Sequence, residues 1–133
     1  VVGVPTVKTH NLCRVSLAMK NWYGLLGGPR NRLHQAIHEV IADLGHFLRP
    51  TLIVLDGSRL LIRHGPTGGS PADVAPGNTV AIGTDAVAVD AAGAGLLSVR
   101  PDELEFLRLA EQRGLGAADP SALSLYRNVR VPS

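Results

Sequence analysis

Two basic and two acidic residues are of the types and in the places where chemistry could occur. Lys8 and His10 stand two apart after a strand-like run, so in extended chain their side chains point to the same side. A lysine holds an anion, and a histidine shuttles a proton or binds a metal. In open α/β sheets, ligands gather beyond the carboxyl ends of strands, where this pair is expected. The same pair also fits a solvated strand end with a hydrogen-bonded histidine. Asp56 closes a second apolar run and precedes Gly57, which lets another group approach the backbone closely. A carboxylate there could bind a metal or act as a base, although Asp-Gly is common turn chemistry and the turn is the favoured reading. Asp90 is surrounded on its helical face by Ala86, Val87, Gly93 and Ala94. A charge in such company needs a partner. Either this face lines a polar cleft, or Asp90 pairs with a cation such as Lys8, Lys20 or an arginine, the ion pair being the stronger expectation.

Two Gly-rich segments add candidate ligand contacts. Neither Gly27-Gly28-Pro29-Arg30 nor His64-Gly65-Pro66-Thr67-Gly68-Gly69-Ser70 is a Walker loop or a dinucleotide fingerprint. Thr67, Gly68, Gly69 and Ser70 could still wrap a phosphate or carboxylate, helped by Arg30 and His64. The plainer alternative is a mobile connector. Thr84 and Asp85 lie between a strand and a helix, where free backbone N–H groups receive anions. Asp85 would repel a phosphate, so capping the helix is its expected role. His34 and His38 are four apart, a chelating spacing on a helix. Without a zincin pattern they are read as flanks of an apolar stripe, and no residue is assigned as a metal ligand. Cys13 lacks a clear base partner and is read as a structural thiol.

The elements that must position these groups follow from pattern. Val1–Val7 predicts a strand interrupted by Pro5, and Val15–Leu26 a helix stopped by Gly27-Gly28-Pro29. Asn31 is the expected N-cap of a helix over Arg32–Leu48, whose apolar stripe runs from Leu33 through Ile37, Val40, Ile41 and Leu44. Thr51–Leu55 reads as a strand covered on both faces. Asp56-Gly57-Ser58 predicts a turn into a hairpin strand, Arg59–Arg63. A loop spans His64–Asn78, and a short strand covers Thr79–Ile82. An alanine-rich helix ends near Leu97, a helix from Pro101 is stopped by Gly114, and Val129–Val131 suggests a final strand. The expected fold is α/β: a mixed sheet with helices packed on its faces and one β-hairpin.

The chain of 133 residues, 45% hydrophobic and 18% charged, is expected to form one domain over residues 1–133. A formal charge of +2 with scattered basic residues argues against nucleic acid. No apolar stretch reaches a membrane span and no signal peptide is visible, so a cytoplasmic location and no membrane partner are expected. A start at Val1 suggests a fragment of a longer protein.

Four segments in order carry a family resemblance: residues Pro5-Thr6-Val7-Lys8-Thr9-His10, Ala18-Met19-Lys20-Asn21-Trp22-Tyr23-Gly24-Leu25-Leu26, Leu55-Asp56-Gly57 and Gly83-Thr84-Asp85-Ala86-Val87-Ala88-Val89-Asp90. From about Val4 to Gly116 the chain resembles the later part of the Domain of Unknown Function 362 family. The resemblance implies an uncharacterised protein, often linked to iron–sulfur clusters because many relatives carry a ferredoxin-like module. This chain departs from that pattern, since Cys13 is its one cysteine. The expected activity is an enzyme-like domain binding a small anionic ligand, with or without a metal, in a cleft at strand ends. Lys8, His10, Asp56, His64 and Asp90 would line the cleft, and the cofactor is left unassigned. The alternative is a non-catalytic module that docks a ferredoxin-like partner or a neighbouring domain. Because cluster ligation usually takes four protein ligands, mostly thiolates, the purified chain should show no iron–sulfur absorption after anaerobic reconstitution. Stoichiometric iron and sulfide bound to single chains would contradict this.

Overall fold

The computed structural model describes residues 1–127, so the expected strand over Val129–Val131 lies outside the described residues. Six strands form one sheet: β1 (Val2–Gly3), β2 (Thr6–His10), β3 (Arg14–Ser16), β4 (Leu52–Leu61), β5 (Val74–Gly83) and β6 (Ser124–Arg127). Their order is β3-β2-β4-β5-β6, with β1 also paired to β4. β1 and β2 run parallel to β4, while the β2–β3, β4–β5 and β5–β6 pairs are antiparallel. The expected mixed α/β sheet is therefore what forms. Proline has no N–H to give a ladder, and the first apolar run is split into β1 and β2 at Val4-Pro5.

Alternation along the strands puts Val7, Val15, Ile53, Leu55 and Ala81 on one face, where all five are buried. The helical layer closes over them: α1 (Ala18–Asn21), α2 (Ile37–Phe47), α3 (Ala86–Leu96) and α4 (Glu105–Gln112). Met19, Ile41, Val87, Val89, Phe106 and Leu107 join the strand residues in one hydrophobic core. On the opposite face, Thr6, Lys8, Leu61 and Val74 are half-buried or exposed.

Three boundaries differ from the sequence pattern. Val15 belongs to β3, so α1 starts only at Ala18 and continues as a 3-10 turn over Trp22–Leu25. The region 30–36 is a 3-10 stretch, and α2 begins at Ile37 with Ala36 before it and no side-chain cap, so Asn31 caps nothing there. The expected turn at Asp56-Gly57-Ser58 is absent, because β4 runs straight through it. The irregularity falls instead on β5, where Gly77 and Asn78 together oppose Ser58, between the pairs Gly57↔Thr79 and Arg59↔Pro76. Asn78 takes up the left-handed conformation at φ 47°, which a short polar side chain tolerates. The β-hairpin is thus β4–β5, connected through residues 62–73, and β5 claims residues 74–78 of the expected loop.

The bulge holds because two glycines meet across it. A Cβ on Gly77 would lie 2.1 Å from the Gly57 carbonyl oxygen, and one on Gly57 2.7 Å from Leu96. The first clash is with backbone and cannot be relieved by a rotamer change. Gly77→Ala should therefore destabilise the fold by about 3 kcal/mol, the upper range for overpacking. A lowered urea midpoint at unchanged m-value is the expected readout; an unshifted midpoint would show that the strands can separate there freely.

Candidate functional site

The first cleft arises from a register slip between parallel strands. While β2 advances two residues, from Thr6 to Lys8, β4 advances five, from Asp56 to Leu61. The ladder cannot follow both, and a cleft of about 310 Å³ opens, lined by Thr6, Lys8, Arg59, Leu61, Pro66 and Thr67 among others. Neither Lys8 nor Arg59 has an ion-pair partner among the described residues.

A second cleft of about 400 Å³ lies between Thr9, His10 and Asn11 at the carboxyl end of β2 and Arg63, His64 and Gly65 beyond β4. The Gly65 amide donates to Thr9 Oγ1 at 3.2 Å. A Cβ on Gly65 would lie 1.9 Å from the Thr9 carbonyl oxygen, so only glycine lets the loop sit this close to β2. His10 Nδ1 accepts the amides of Leu12 (3.1 Å) and Cys13 (3.3 Å), fixing the turn into β3. Burial first, then the charges of Lys20 and His34, hold its imidazole down to about 4. The ring is neutral near pH 7 and carries its proton on Nε2, so it offers a donor at that atom.

The loop between these clefts is closed on itself. His64 Nδ1 lies 2.9 Å from Asp73 Oδ1, and the amides of Gly69 and Ser70 each donate to Asp73 Oδ2 at 3.0 Å. The His64 hydrogen bond, ahead of the Ser70 and Gly69 amides, holds the Asp73 carboxyl below the usual carboxylate range. Gly68 N–H donates to the His64 carbonyl at 2.8 Å. The amides of Gly68, Gly69 and Ser70 are thus occupied by protein acceptors, while Thr67 lines the first cleft. Sequence reasoning missed Asp73. Its signal was the capping box Ser70-Pro71-Ala72-Asp73, a polar residue followed three later by a carboxylate.

The expected convergence of Lys8, His10, Asp56 and Asp90 in one cleft does not occur. Lys8 and His10 line different clefts. Asp56 lies within β4, with its Oδ1 accepting the Ser58 amide at 2.9 Å. Asp90 is fully buried, so it lines no solvent-reached cleft. Nor does it need a cation: its Oδ1 accepts the Ala18 amide at 2.7 Å and its Oδ2 the Met19 amide at 3.1 Å. The first amides of a helix have no intrahelical acceptor, and the residue before α1 is Leu17, which has no side-chain oxygen to supply one. Asp90 supplies both from α3. Burial pushes its carboxyl up to about 7, against those two hydrogen bonds.

Asp85 caps α3 as expected, its Oδ1 accepting Val87 at 2.8 Å and Ala88 at 3.1 Å, and its Oδ2 reaching the Ala117 amide at 3.0 Å. Thr84 is exposed just before it. Arg30 begins the 3-10 stretch, and its side chain lies outside the described residues. His34 stacks on Tyr23 at 5.4 Å and His38 on Phe106 at 6.4 Å, so the pair is divided between two ring partners rather than joined as a chelate. Among the described residues no group of three or more His, Cys, Asp or Glu is placed to hold a metal. No helix among them is long and apolar enough to cross a membrane.

These features define a mixed α/β domain with open clefts at the carboxyl ends of two parallel strands. Residues 1–95 match the family described as a domain of unknown function, DUF362, and the chain belongs to that family. The match ends within α3, so the resemblance traced to Gly116 is shown only as far as residue 95. No curated protein and no solved structure gives a significant match.

Replacing Asp90 by Asn leaves one oxygen for two buried amides and sets an NH2 group against the second. A loss of about 2 kcal/mol is expected, the range for a buried group left unsatisfied. The folded carboxyl titrates above its ordinary value, so the folded state binds more protons than the unfolded one between about pH 4 and about pH 7. Asp90's contribution to stability should therefore fall as pH rises through that window, and urea unfolding of Asp90→Asn should lack this component. A wild type whose stability difference from Asp90→Asn is the same at both ends of the window would contradict the assignment.

Proposed function

We propose that this is a cytoplasmic domain that binds a small anion, a phosphate or carboxylate group, in the cleft between β2 and β4. The observation that carries the reading is Lys8 and Arg59 lining one cleft with no carboxylate partner among the described residues. Arg59 offers a planar fork suited to a two-oxygen ligand, and Thr6 and Thr67 supply hydroxyls on the same lining. Leu61 and Pro66 give the cleft apolar wall, which lowers the local dielectric and strengthens charge-assisted hydrogen bonds. This reading does not require a metal.

A second reading is a non-catalytic module that docks a neighbouring domain or a ferredoxin-like partner. It is supported by Val2 and Val4, which are 57% and 66% exposed at the sheet's β1 end. An anion site predicts saturable binding by a small molecule alone, and a docking module does not.

Thermal unfolding with added inorganic phosphate, and separately with citrate, tests the first reading, because a ligand that binds only the folded state raises its stability. Lys8→Ala and Arg59→Ala should each change stability by no more than about 0.5 kcal/mol, as surface substitutions do. Each should weaken anion binding at least tenfold, or about 1.4 kcal/mol. Binding that survives both substitutions, or no midpoint shift with either anion, would sink the reading.

A further inference from the structure

His64 and Asp73 form a dyad that the anion cleft does not use. The imidazole is 73% exposed, whereas the carboxylate beneath it is 6% exposed. Asp73 cannot turn away, because its other oxygen is held by the Gly69 and Ser70 amides, and Arg63 Nε stands 3.6 Å from the oxygen that meets His64. A carboxylate only accepts hydrogen bonds, so the His64 proton sits on Nδ1 and the Nε2 lone pair is free. Across the cleft of about 400 Å³ stand His10 and Asn11. His10 carries its proton on Nε2, since its Nδ1 already accepts two amides. The cleft therefore combines one oriented base with nitrogen donors, at the carboxyl end of β2.

We propose that His64 is a general base, positioned by Asp73, that activates water for attack on a small carboxylic ester, with His10 and Asn11 donating toward the carbonyl oxygen. His64 Nε2 takes a proton from water as the water oxygen bonds to the carbonyl carbon. The tetrahedral oxyanion then collapses, the C–O bond to the leaving alkoxide breaks, and His64 returns its proton to that oxygen. Water is the sole co-reactant, and the products are an acid and an alcohol. Asp73 touches no substrate; it fixes the tautomer and stabilises the imidazolium that forms, the role a carboxylate plays behind a catalytic histidine. This inference stands on different residues from the anion cleft, so either can fail without the other.

The test uses the whole chain with p-nitrophenyl acetate as the probe. Wild type should hydrolyse it with a kcat/KM at least tenfold above His64→Gln, whereas His46→Gln, which replaces an exposed histidine elsewhere, should match wild type. In Asp73→Asn the amide oxygen still accepts from the loop amides, but the NH2 group donates to Nδ1 and reverses the tautomer. That variant should lose at least tenfold in kcat with little change in KM. Its His64 should appear as the Nε2–H form in nitrogen-resolved NMR spectra, against Nδ1–H in wild type. Hydrolysis by wild type no faster than by His64→Gln would overturn the proposal. So would an Nε2–H tautomer in wild type, and both measurements hold even if Asp73→Asn fails to fold.

Discussion

The contact on which the helical layer depends is a carboxylate that accepts two hydrogen bonds from across the fold. α1 starts after an apolar residue and cannot cap itself. Asp90 reaches it from α3, 72 residues along the chain from Ala18. Two amide-to-carboxylate hydrogen bonds therefore fix the distance and rotation between α1 and α3 more tightly than apolar packing would, because packing is non-directional. The same contact joins two of the segments that carry the family resemblance, Ala18–Leu26 and Gly83–Asp90. Its cost is the desolvation of a carboxylate, which burial expresses as a titration near neutrality. A stronger cap at Leu17 would have served α1 alone, without tying it to α3.

The clefts are consequences of close backbone approach on the opposite side of the same sheet. At the bulge, Gly57 and Gly77 allow β4 and β5 to touch. The register of β4 against β2 then slips by three extra residues between Asp56 and Leu61. At the loop, Gly65 seats residues 62–70 directly on β2. Side chains that a regular ladder would have paired are left to line open space instead. Irregularity in a sheet commonly re-aims side chains near functional sites, and here it separates Lys8 from His10 although their spacing gives them one side of one strand.

Much of the fold was legible because its signals are local. The break at Pro5, the cap at Asp85 and the mixed sheet all follow from residue type and period. The hairpin was misplaced because Asp-Gly has two physical uses, a turn and a close approach. Only the partner strand decides between them, and the decisive residue, Gly77, lies far along the chain. The site was less legible for the same reason. Burial flagged Asp90 correctly as needing partners, yet those partners are backbone amides, which no sequence pattern marks. Asp73 was passed over as part of a loop, although its capping box is written in four consecutive residues. Lys8 was legible as an anion-binding candidate, while Arg59 needed the slipped register to bring it to the same lining.

The two clefts differ in what they can do with charge. Several arginines elsewhere in the protein meet carboxylates: Arg14 with Glu103, Arg113 with Asp43, and Arg100 with Asp102. Arg59 shares a lining with Lys8 without such an acceptor among the described residues. Two cations on one concave, partly apolar surface repel each other, and an anion bound between them, as proposed, would offset that repulsion. The second cleft is arranged the other way. His10 is held neutral, and Asp73 lies beneath the His64 ring, accepting a hydrogen bond from it. A neutral donor and a carboxylate-backed imidazole suit a charge that appears during a reaction rather than one brought in by the ligand. On the two proposals, the first cleft would hold a charge and the second would move a proton, and the loop containing Gly65 and Thr67 forms part of both.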